Sequence, residues 1–133
     1  MASELNENHK IDKVETNKQM KGEKLGEFEE IVLLCICILY DDAYGLAIAR
    51  EIEKRTNRNV TLSSVHKTLM RMEQKGYVTS GMGGANDSRG GRRKRLFSIT
   101  NSGKEVIREA HEQRQQMWRA IPQVVWDLKL SLE

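Results

Sequence analysis

Apolar residues recur with a helical period in four stretches of this chain and alternate in two. From Glu27 to about Asp41, Phe28, Ile31, Leu34, Cys35, Ile38 and Leu39 keep helical spacing, and Glu27, Glu29 and Glu30 suit the positive end of a helix dipole. The opposite side of this segment, Val32, Leu33 and Ile36, is apolar too, which predicts a central helix covered on both sides. "DDAYG" breaks it. A second helix is expected from about Tyr44 to Asn57, with Tyr44, Ile48 and Ile52 inward and Arg50, Glu51, Glu53, Lys54 and Arg55 outward. The third, "SSVHKTLMRMEQK", has Ser63 as its expected N-cap and stops at Gly76, a fitting left-handed residue. Val65, Leu69 and Met72 share its apolar face, while Ser63, His66, Lys67, Met70, Arg71 and Gln74 take the other.

The period then changes. "YVTSGM" alternates, "GGANDSRGG" is a Gly/Asn/Asp loop, and "RRKRLFSIT" reads as the returning strand of a hairpin. Thr100 looks like the N-cap of a long final helix, which Pro122 should kink or interrupt near Trp118 because it removes a donor and crowds the preceding turn. "QVVWDLKLSL" can continue as a further helical segment. Three helices, a hairpin and a long helix make a mainly α protein, a winged helix-turn-helix of three helices plus a two-stranded wing with a long C-terminal dimerisation helix. The expected organisation is a mobile polar tail over 1–22, the winged helix over 23–100 and the dimerisation helix over 101–133.

Composition narrows this picture. A chain of 133 residues suits one domain, and 31% charged with 5% aromatic residues is a helical rather than a β-rich profile. The net charge of +3 is modest, so its distribution matters more than its total. Cys35 and Cys37 are too close for a disulfide and have no histidine beside them for zinc, so both read as small buried hydrophobes in a reducing compartment. The polar N-terminus has no signal-peptide core, and the run Ile31 to Tyr40 is too short to span a bilayer, so a soluble, cytoplasmic protein is expected.

Five cations fall within seven residues, Arg89 to Arg95, and run directly into "LFSI". A duplex carries about one phosphate charge per 1.7 Å of axis, and rigidly mounted cations answer it. Arg89, Arg92, Arg93 and Lys94 at the wing would meet the backbone or a narrow minor groove, among glycines that permit close approach. The plainer alternative is that these cations only keep an exposed edge strand from pairing with other chains. On the third helix Ser63, Ser64, His66, Lys67 and Arg71 are the candidates for a major groove. By itself that would be an ordinary wet helix face; the hairpin directly after it favours DNA, and with it a nucleoid-associated protein.

The stretches "DDAYGLAIAREIEK", "VTLSSVHKTLMRMEQKGYV" and "GGRRKRLFSITNSGKEVI" resemble the PadR family of bacterial transcription regulators, over roughly residues 25 to 121. Tyr44-Gly45 matches the family's aromatic-Gly pair, and Arg71, Met72, Glu73 and Gly76 match the end of its recognition helix. Gly91 to Lys94, Thr100 and Gly103 match its wing and the Thr-x-x-Gly that closes it. The resemblance, to the short form with a single C-terminal helix, implies a homodimeric DNA-binding regulator, usually a repressor. The chain departs from the pattern at His66-Lys67, where many members have tyrosine, often followed by proline, so contacts at that place are not carried over.

Val106, Ile107, Ala110, Arg114, Met117, Trp118 and Ile121 give the final helix a stripe too apolar for one small domain to cover. Pairing with a second copy through Ile31, Leu34, Ile107, Ala110, Met117 and Ile121 would cover it and set two recognition helices on a palindrome. Met117, Trp118 and Trp126 then suggest a pocket for a small planar apolar effector, with plain dimer packing as the alternative. No cofactor or metal is expected. The three histidines are scattered and no nucleophile has a base at motif spacing, so an enzyme is not expected. The competing function is a winged helix that holds protein or RNA without specific DNA readout, which would bind duplexes weakly and lose them steeply with salt.

Overall fold

The computed structural model describes residues 25–83 and 93–128. The expected tail over 1–22, Arg89 and Arg92 of the basic block, and the closing Leu132-Glu133 lie outside the described residues. Helix α1 spans Glu27–Leu39 and passes through a 3-10 turn, Tyr40–Asp42, to α2 (Gly45–Thr56) and α3 (Leu62–Gln74). Strands β1 (Val78–Met82) and β2 (Arg95–Ile99) form an antiparallel hairpin, followed by α4 (Asn101–Ala120) and the short α5 (Gln123–Asp127). This is the winged helix-turn-helix with a long C-terminal helix that the pattern predicts.

The core sits where the three helices meet the hairpin. Val32, Leu33 and Ile36 of α1, Ile48 and Ile52 of α2, and Val65, Leu69 and Met72 of α3 are buried with Ala43, Tyr77, Val78 and Phe97. Each fully buried side chain of this size contributes about 1.5–3 kcal/mol, so this cluster dominates the stability of the domain.

Helix α1 corrects two expectations. It is covered on one side only: Val32, Leu33 and Ile36 face the core, whereas Leu34 (43% exposed) and Ile38 (48%) face outward. Its neighbours α2, α3 and β2 lie on one flank, and α4 adds Val106 and Ile107 at the border of the same core. The two cysteines also separate, Cys35 buried and Cys37 exposed. Two residues are about 200° of helical rotation, so a one-sided core cannot hold both. Burial, with Glu51's charge adding to it and Arg55 opposing, pushes the Cys35 thiol up to about 11.

The ends of α3 are set by hydrogen bonds. Thr61, not Ser63, is the N-cap, and its Oγ1 accepts from Ser64 N–H at 3.0 Å. Ser63 lies one residue too far along to reach the free donors, since a cap serves the amides two or three positions ahead. At the other end Gly76 N–H donates to Glu73 O and Tyr77 N–H to Met72 O, at 3.0 and 2.9 Å. Gly76 takes φ 82°, the left-handed conformation that this closing motif needs.

The hairpin is held on both edges of β2. One edge pairs with β1, Ser80 opposite Phe97 and Met82 opposite Arg95. On the other, Phe97 N–H donates to Ala43 O at 2.8 Å, joining the wing to the turn before α2. The strand begins at Arg95, so Arg93 and Lys94 precede it instead of belonging to it. Thr100 then caps α4: Oγ1 accepts from Gly103 N–H at 3.1 Å and donates to Gly76 O at 2.6 Å. Gly103 has to be glycine, because a Cβ there would land on Tyr77 O and stand 2.7 Å from Ile99 Cγ1. Helix α4 ends at Ala120; Ile121 is extended, and Pro122 caps α5.

Candidate nucleic-acid interface

The outward face of α3 carries Ser63, His66, Lys67, Met70 and Gln74, all exposed and opposite the buried Val65, Leu69 and Met72. Met70, 59% exposed, stands at the centre of that face, a large apolar side chain among polar ones. Ser64 lies closer in. Its hydroxyl donates to Thr61 O at 2.9 Å and its amide to Thr61 Oγ1, so it helps to build the helix start.

Arg71 is turned aside from this face. Its Nε donates to Glu29 Oε2 at 3.0 Å, and Lys75 Nζ lies 3.3 Å from the same oxygen. Glu29 is buried, and its Oε1 also accepts from Gly26 N–H at 2.9 Å at the start of α1. Burial pulls the Glu29 pKa upward most strongly. The Gly26 amide, Arg71 and Lys75 together outweigh it, so the carboxyl sits below its ordinary value. The guanidinium of Arg71 therefore couples α3 to α1 and presents only part of its charge to a partner.

A line of contacts joins the wing to the recognition helix. Lys94 Nζ lies 4.2 Å from the centroid of the Tyr44 ring, within cation–π range. The next residue, Gly45, lies against His66: a Cβ at 45 would stand 2.8 Å from His66 Cε1 and 3.4 Å from Leu62 Cδ1. The Tyr44-Gly45 pair thus meets the wing with its ring and α3 with its bare Cα. Lys94 and His66 are brought to the two sides of one turn. A second connection runs through the wing root, where Arg95 Nη1 donates to Ser80 Oγ at 2.9 Å and Ser80 Oγ donates to Glu73 Oε2 at 3.0 Å. Arg93 is exposed at the end of the described return segment.

Sequence reasoning missed this Glu73, Ser80, Arg95 chain. The available signal was parity: Arg95 and Phe97 are two apart on a strand and share a face, and Phe97 is the buried one.

Of the residues read as a dimer surface, Leu34 and Met117 are exposed, and Ile31, Ile107, Ala110 and Ile121 are half-buried. Val124, Val125 and Leu128, not singled out in the sequence, extend the exposed apolar surface. Trp118 and Trp126 are both exposed and stack on one another, centroids 5.4 Å apart and planes within 6°. Each ring covers one face of the other and leaves its second face open.

A family model described as the transcriptional regulator PadR-like family matches residues 33–109. Among solved structures, the chain is similar to a PadR family transcription regulator from Clostridium difficile. The two are 32% identical with a TM-score of 0.50, over 73% of this chain and 95% of that one. It is also similar in fold to a PadR-like regulator from Bacillus cereus, at 18% identity and TM-score 0.61, over 81% of this chain and 96% of the other. An uncharacterised protein from Lysinibacillus sphaericus is 28% identical over 102 residues, 75% of this chain and 85% of that protein.

Proposed function

This chain belongs to the PadR-like family of transcriptional regulators, and from that premise we propose that it is a repressor that binds a palindromic operator as a homodimer. The observation that carries this reading is the contact line from Lys94 through Tyr44 and Gly45 to His66. It sets the base of the basic wing beside the outward face of α3, so one duplex can meet both. On α3, Ser63, His66 and Lys67 offer hydrogen bonds and charge to base edges and phosphates, and Met70 offers the apolar contact that a thymine methyl takes. Arg93 and Lys94, with Arg89 and Arg92 from the same block, supply charge to the backbone.

The apolar surface made by Leu34 and Ile38 of α1, Met117 of α4 and Val124 and Val125 of α5 supports the dimer, because a second copy would cover it. Two recognition helices would then address half-sites about 10–10.5 bp apart or a multiple of one turn. The open faces of the Trp118–Trp126 stack support a planar apolar effector that releases the operator.

Selection from random duplexes followed by a salt series tests the reading. The expected result is one enriched palindrome, preferred over random duplex by about 4–10 kcal/mol and retained at physiological salt. Uniform binding that vanishes with salt would replace it with a sequence-blind module. Planar dyes should then quench the tryptophans and weaken the selected site together; quenching without release would remove the effector from the scheme.

A further inference from the structure

Within the basic block one arginine is already engaged by the protein itself, although it is exposed. Arg95 and Phe97 lie on the same face of β2; Phe97 is buried against the domain, whereas Arg95, at the outer end of the strand, is exposed beside the end of α3. Ser80 pairs with Phe97 across the ladder and Met82 with Arg95, which puts Ser80 on the same side. The Arg95 guanidinium accordingly donates to Ser80 Oγ at 2.9 Å, and Ser80 donates onward to Glu73 Oε2 at 3.0 Å in the last turn of α3. The direction of this relay is fixed by chemistry. A guanidinium only donates, an ionised carboxylate only accepts, and a hydroxyl does both.

We propose that Arg95, Ser80 and Glu73 are positioning residues that brace the wing at a set angle to the recognition helix, and that Arg95 does not itself contact DNA. Two anchors hold the opposite edge, the Phe97 amide on Ala43 O and Lys94 over the Tyr44 ring. Without the brace the base of the wing is still held by the buried Val78 and Phe97 and by Thr100 on Gly76 O, but its outer end is tied along that edge and can bend away from α3. The wing cations would then lose their fixed distance from α3, and with it the simultaneous fit to groove and backbone. The division of labour follows: Arg93 and the cations before it supply charge, whereas Arg95 supplies geometry. The DNA part of this inference rests on the function proposed above; the mechanical part does not.

The variants Ser80→Ala and Arg95→Gln test it in the full chain, with Ser80→Thr as the rescue and Arg93→Ala as the contrast. The first readout needs no DNA. Amide hydrogen exchange at Gly81 and Gly83, whose N–H groups face β2 in the ladder, is expected to speed up in Ser80→Ala and Arg95→Gln, return toward wild type in Ser80→Thr, and change without a shift in thermal midpoint. The second readout is affinity for the duplex that the wild-type protein selects. Ser80→Ala and Arg95→Gln should weaken it roughly three- to tenfold, the size of one modest hydrogen bond, with no change in its dependence on salt. Arg93→Ala should lower that salt slope by about one. Unchanged exchange in the wing overturns the brace. A salt slope lowered by about one in Arg95→Gln overturns it too, because Arg95 would then be a phosphate contact. Should Arg95→Gln fold poorly, Ser80→Ala alone decides, since it alters no charge. A wild-type protein that selects no duplex defeats the DNA reading and leaves the brace to be judged on exchange.

Discussion

Glu29 shows how a residue can matter to the interface without belonging to it. One carboxylate caps α1 through Gly26 and holds Arg71 and Lys75 at the far end of α3. Its folded pKa is depressed, so its contribution is fully present above the unfolded value and is lost as pH falls through the lower folded one. Glu29→Gln should therefore cost about 1–2 kcal/mol at neutral pH. Its urea midpoint should also vary less than wild type's below about pH 4, and parallel pH profiles of the two proteins would contradict this assignment. Gly103 gives a second residue-scale test with an inverted sign. In an exposed helix, glycine to alanine gains about 1 kcal/mol. Here the new Cβ would strike Tyr77 O and Ile99, and Gly103→Ala should instead lose about 3 kcal/mol or more in chemical denaturation. Neither role shows in the sequence beyond the motif that Gly103 completes. Glu29 looks like any first-turn acid, because its partners lie 42 and 46 residues away.

The helical elements differ in how openly they declare themselves. Helix α3 is legible because its faces differ: Val65, Leu69 and Met72 on one side, polar residues on the other, and burial follows that division. Helix α1 is apolar all round, so periodicity cannot say which side meets the core, and Leu34 and Ile38 turn out to face outward. Ser63 misplaces the start of α3 for a different reason. Thr61, Ser63 and Ser64 are all competent caps, and the choice is made by the extended backbone at Thr61. The C-terminal elements bear on the proposed effector site. On an unbroken helix Trp118 and Trp126 would be separated by eight residues, about 12 Å of rise. The observed stacking therefore requires the extended Ile121 and Pro122. Pro122→Ala should let α4 run on, abolish the exciton couplet of the paired indoles in circular dichroism and raise the helical signal. A retained couplet would mean that the turn forms without proline.

At the scale of the whole molecule, a small buried core is set against a broad apolar exterior spread over α1, α4 and α5. If a second copy covers that exterior, folding and association are linked, and the thermal midpoint should rise with protein concentration. A midpoint constant over a hundredfold dilution would argue for a monomer. The order of elements was readable from the change of hydrophobic period along the chain. The contacts that mount the wing were not, since Tyr44 meets Lys94, and Glu73 meets Ser80 and through it Arg95, only after the chain has folded.

One hydroxyl sits where these parts join. Thr100 Oγ1 holds the first turn of α4 to the carbonyl of Gly76, just past the end of α3. The 20-residue α4 is therefore a lever about 30 Å long with its fulcrum at the base of the reading head. A tilt of about 5° there sweeps the tryptophan end through roughly 2.6 Å. In the proposed dimer, a ligand that wedged that distance at the tip would turn each head by only a few degrees at Gly76, and the two turns together would change the spacing offered to a double helix.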